Sequence, residues 1–98
     1  MKVIKLVDFI SKYPAYRISA INLFTFINSL NEKDIIIDFC GVEGVTHSFA
    51  AQYQDEKKIT NKNIQEININ ENVTKMFKIL NNKKTFNDHN IEISNFSL

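Results

Sequence analysis

The chain has 98 residues, enough for one domain with a single core and little surplus stability. Twelve basic and eleven acidic side chains leave a formal charge of +1, and the mixing of signs gives neither a basic nucleic-acid groove nor an acidic tail. One cysteine excludes an intramolecular disulfide. The early charges in Met1-Lys2-Val3-Ile4-Lys5 predict no signal peptide, and no run reaches the roughly 18 apolar residues of a membrane helix, so the expected location is the cytoplasm.

Lys2-Val3-Ile4-Lys5-Leu6-Val7 is β-branched and weakly alternating, which predicts a first strand. Ser11-Lys12-Tyr13-Pro14 interrupts it, and Pro14 suits the first position of a helix, where its missing N–H would go unpaired anyway. Over residues 14–30, Tyr16, Ala20, Leu23, Ile27 and Leu30 recur at three- and four-residue steps and predict the longest helix. Ile18, Ile21, Phe24 and Phe26 widen its apolar arc toward a neighbouring element or a partner. After a turn at Asn31-Glu32-Lys33, residues 34–39 open with three isoleucines and read as a central strand buried on both faces. A helix over 46–57 follows, with Phe49, Ala50 and Tyr53 inward and Gln52, Asp55 and Glu56 outward.

Residues 64–69 read as a third strand with Ile67 and Ile69 on its buried face. Asn70-Glu71-Asn72 supplies caps for a third helix carrying Val73, Met76, Phe77 and Leu80 on one face, and Asn81-Asn82-Lys83-Lys84 ends it. Residues 1–84 form the domain. Residues 85–98 form a C-terminal extension, either a short edge strand at Ile91-Glu92-Ile93 with Phe96 or Leu98 tucked back, or a frayed tail. The βαβαβα order predicts an α/β fold: a small, mainly parallel or mixed sheet of three to four strands, right-handed crossovers, and helices mostly on one face. The thinly protected other face invites a homodimer or a partner.

In open α/β sheets, function collects at the carboxyl ends of the strands. Both glycines of the chain, Gly41 and Gly44, follow the central strand there, and Thr46 and Ser48 open the next helix. The glycines read as turn residues with positive φ, or as points where backbone amides meet an anion; Gly-x-x-Gly lacks the Lys-Ser/Thr of a P-loop. Asp38 reads as a carboxylate bonded to turn amides, against an acid/base role. Cys40 and His47 could pair as thiol and imidazole, although a lone cysteine beside a strand reads more simply as a small buried hydrophobe. With Asp38 and His89 they would make a metal set only if the tail folded back. No catalytic set, cofactor or metal is expected. An enzyme or small ligand-binding domain at Asp38, Cys40 and His47 is the alternative. Lys12, Tyr13, Tyr16 and Arg17 form an aromatic–basic cluster. Its tyrosines pack, and Arg17 is solvated or meets a phosphate or an acidic partner; single-stranded nucleic acid is a further alternative.

Ile36-Ile37-Asp38-Phe39-x-Gly41-Val42-Glu43-x-Val45-x-x-Ser48-Phe49-Ala50 resembles the signature of the STAS-like family of unknown function. That family is related to the sulphate-transporter and anti-sigma-factor-antagonist superfamily. Tyr16-Arg17 through Ala20 and Leu23-Phe24 to Ile27 resembles the first-helix pattern of the same proteins, so the similarity spans residues 2–82. The resemblance implies a STAS-like fold and a regulatory protein–protein interaction module. In the antagonists, a partner ATPase-type serine kinase phosphorylates a serine at the start of the helix after the central strand, within an Asp-Ser-Ser-Gly-like stretch. Ser48 falls at that serine, with Thr46 in place of the aspartate, His47 of the preceding serine and Phe49 of the glycine. The implied interaction corner is Gly41, Glu43, Gly44, Thr46, His47 and Ser48, with Arg17 as a candidate anion contact. Physically, a hydroxyl at this place has two uses. It can cap the helix, worth about 1 kcal/mol, a task open to Thr46 or Ser48; or it can carry a phosphate at the positive end of the helix dipole.

Overall fold

The described residues form three strands and four helices, in the order β1 (Lys2–Lys5), α1 (Leu6–Phe9), α2 (Arg17–Ser29), β2 (Asp34–Asp38), α3 (His47–Ile59), β3 (Asn63–Ile67) and α4 (Glu71–His89). The computed structural model describes the backbone of residues 1–89 and the side chains of residues 1–81. The edge strand at Ile91-Glu92-Ile93 and the packing of Phe96 or Leu98 therefore lie outside the described residues. The strands form one parallel sheet in the order β1-β2-β3, with Ile4 beside Ile37 and Ile37 beside Glu66. This is the α/β architecture that the alternation of elements predicts.

Residues paired across a ladder share a face of the sheet. Ile4, Ile35 and Ile37 are buried on one face, against Ala20, Leu23, Phe24 and Ile27 of α2 and Phe49 and Tyr53 of α3. Helix α2 lies along α3, and α3 along α4, so the three form one layer. The opposite face carries Val3, Ile36 and Ile67; Val3 is 52% and Ile67 40% exposed.

Tyr53 is the hub of the core. The rings of Phe24, Phe77, Phe49 and Phe39 stand 5.4, 5.5, 5.9 and 6.0 Å from it, centroid to centroid. Such pairs contribute about 0.5–1.5 kcal/mol each beyond the area they bury. A ring this deep leaves its hydroxyl in need of a partner, and it donates to Glu66 Oε2 at 2.6 Å. Glu66 Oε1 lies 3.1 Å from Lys57 Nζ. The pairing explains why a strand places a carboxylate on its helix-facing side, and it ties α3 to β3.

The elements depart from the sequence pattern in four places. β1 stops at Lys5, two residues short of Val7. The turn of α1 sends Leu6 into the core and sets Val7 3.6 Å from where a Cβ on Gly41 would stand. Pro14 is not in a helix: its carbonyl accepts Thr46 N at 3.1 Å, and α2 begins at Arg17 with Tyr16 as an N-cap that makes no side-chain bond. In β3, Ile64 and Glu66 take the covered side, because they pair with Ile35 and Ile37 of β2, and Asn68 with φ 59° ends the alternation. Ile67 faces outward, and Ile69 packs on the core only beyond that turn. Finally, Asn70 caps α4 as expected, its Oδ1 accepting Val73 N at 2.9 Å, but Asn81-Asn82-Lys83-Lys84 does not stop the helix. These residues are tolerated in a helix, and no glycine or proline follows to break it; the backbone continues helical to His89.

Tyr53→Phe is expected to lower unfolding free energy by about 2 kcal/mol in urea denaturation at neutral pH, the usual scale for a hydrogen bond to a charged group. Burial first, and the Glu66 carboxylate second, hold the Tyr53 hydroxyl well above its ordinary value of 10.0. The unfolded chain therefore loses this proton first as pH rises, so the native state keeps its advantage below pH 10 and loses it above. Tyr53→Phe reduces that alkaline loss.

Candidate functional site

Three loops, those after α1, β2 and β3, meet at the carboxyl end of the sheet and are bonded to one another. Asp38, the last residue of β2, accepts at Oδ1 from Cys40 N at 2.9 Å and from Asn68 Nδ2 at 2.9 Å. The first bond closes the turn that follows the strand; the second joins it to the loop after β3. Gly41 has φ 88°, a left-handed conformation that side chains rarely adopt. The chain then runs against the loop before α2, with Glu43 N donating to Lys12 O at 2.8 Å and Thr46 N to Pro14 O. From the other side, Asn70 Nδ2 donates to the carbonyls of Val42 and Glu43 at 3.0 and 3.2 Å, and Asn72 Nδ2 reaches Glu43 O at 3.3 Å.

Thr46 takes the capping role. Its Oγ1 accepts Phe49 N at 3.1 Å and donates to Ala15 O at 2.6 Å. Ser48 therefore stands in the first turn of α3, exposed, with a hydroxyl that the cap does not use. Gly41, Glu43 and His47 are exposed beside it. Gly44 is half-buried, and its role differs from the expected positive φ: a Cβ there would come within 3.3 Å of the Tyr13 ring, so the residue serves a close approach. Arg17 is exposed at the start of α2. It lies two residues from the carbonyl that Thr46 holds, so the starts of α2 and α3 emerge side by side.

The thiol–imidazole pair of the alternative reading is not formed. Cys40 is exposed rather than buried, because Phe39 turns into the core and the Asp38 turn sends the next side chain outward. No hydrogen bond joins Cys40 Sγ to the His47 ring. Among the described residues no three His, Cys, Asp or Glu side chains are grouped to hold a metal, and the side chain of His89 lies outside them. The Asn68 amide, then the Cys40 N–H, and more weakly Lys5, hold the Asp38 carboxyl below its ordinary value of 3.8. A carboxylate kept ionised by two donors is poorly matched to proton transfer near neutral pH. Asp38 builds the turn.

The aromatic–basic cluster is also less compact than its spacing implies. Tyr16 is 71% exposed, while Tyr13 leans on Gly44 beside the Glu43 carboxylate, which raises its hydroxyl above 10.0. That acidic neighbour interrupts the positive surface of Lys12 and Arg17. Sequence reasoning missed Asn68, and missed that Asn70 and Asn72 reach across to the β2–α3 loop. The available signal was the spacing of Asn68, Asn70 and Asn72 after an isoleucine-rich strand, since asparagine favours left-handed and capping positions.

No family model, no curated protein and no solved structure matches the chain. Among the described residues no helix is long and apolar enough to cross a membrane.

The two hydroxyls separate by mutation. Thr46→Ala is expected to cost about 1–2 kcal/mol in urea denaturation, whereas Ser48→Ala stays within about 0.5 kcal/mol of the parent. Asn68→Gly keeps the left-handed backbone but removes the amide, and the Asp38 carboxyl should then titrate closer to 3.8 by NMR. Because its folded value is depressed, this carboxyl stabilises the native state above pH 3.8 and ceases to do so as pH falls through the folded value. The variant should lose less stability over that acid range than the parent does.

Proposed function

We propose that this chain is a noncatalytic, STAS-like regulatory module in the cytoplasm that presents the corner between β2 and α3 to a protein partner. Ser48 is its switch, phosphorylated by a partner ATPase-type serine kinase. The observation that carries this reading is the division of labour between two hydroxyls: Thr46 is consumed in holding the corner together, while Ser48 is exposed and uncommitted. A modification at Ser48 would therefore leave the cap intact.

A phosphate at Ser48 adds nearly two negative charges where the first-turn N–H groups of α3 and the helix dipole accommodate them. The domain would stay folded while the surface met by a partner changed sign. Arg17, at the neighbouring start of α2, supplies a positive charge on the same end of the domain. The likeness of Asp38-Phe39-x-Gly41-Val42 and Ser48-Phe49-Ala50 to the STAS-like signature supports the same reading.

Peptide mapping of the protein recovered from its native host, with pull-downs of Ser48→Ala and Ser48→Asp in the presence and absence of ATP, tests it. The expected result is a phosphate on the peptide containing Ser48, and a partner that distinguishes the two variants. Ser48 found unmodified, together with Ser48→Asp leaving every partner interaction unchanged, would overturn it.

A further inference from the structure

We draw no further inference here: the strongest candidate, the outer face of α2 on which Ile18, Ile21 and Phe26 are exposed, is an unpartnered apolar surface patch, and nothing in the structure shows what covers it.

Discussion

Thr46 Oγ1 makes two hydrogen bonds, donating to Ala15 O at 2.6 Å and accepting from Phe49 N at 3.1 Å. The acceptance starts α3. The donation fastens that start to the segment leading into α2, and the Thr46 N–Pro14 O bond doubles the attachment. One small side chain thus fixes where two helices begin relative to each other. Arg17 and Ser48, in the first turns that this joint sets side by side, remain on the surface. The corner is an exposed region on a rigid base, the combination in which loops most often carry function.

The rest of the fold supports that base from below. The aromatic cluster around Tyr53 sits beneath α3, and Glu66 links it to β3. From β3 the chain reaches Asn68 and Asn70, which bond back to Asp38, Val42 and Glu43. Core packing and loop geometry are therefore one connected structure, running from the ring of Tyr53 through β3 to the turn after β2. The cost of placing all helices in one layer falls on the other side of the sheet. Val3 and Ile67 stay exposed there, and among the described residues β1 pairs only with β2.

The alternation of strand and helix was legible in the sequence because α2, α3 and α4 each show an apolar stripe and β2 shows an uninterrupted aliphatic run. Most core positions of α2 and α3 follow from period: Ala20, Leu23, Ile27, Phe49, Ala50 and Tyr53 are buried, while Tyr16 of the same stripe is exposed and Phe24, off the stripe, is buried. Boundaries were less legible where a long-range bond decides them. Pro14 has the right chemistry for a helix start, but its carbonyl is held by a residue far along the chain. The face of β3 was misread because the left-handed turn at Asn68 falls between two isoleucines that otherwise look like one alternating strand. At the corner, the sequence offered two hydroxyls for one cap, and only the position of Ala15 decides between them. Cys40 and His47 lie close in sequence, but proximity along a turn does not aim side chains at each other.

Native-state amide hydrogen exchange measures the central claim most directly, that the loop between β2 and α3 is a fixed platform rather than a free connection. The amides of Glu43 and Thr46, bonded to Lys12 and Pro14, should exchange as slowly as those of β2, while the first-turn amides of His47 and Ser48 exchange fast. Glu43 and Thr46 exchanging at the rate of an unstructured segment, with β2 still protected, would contradict the account.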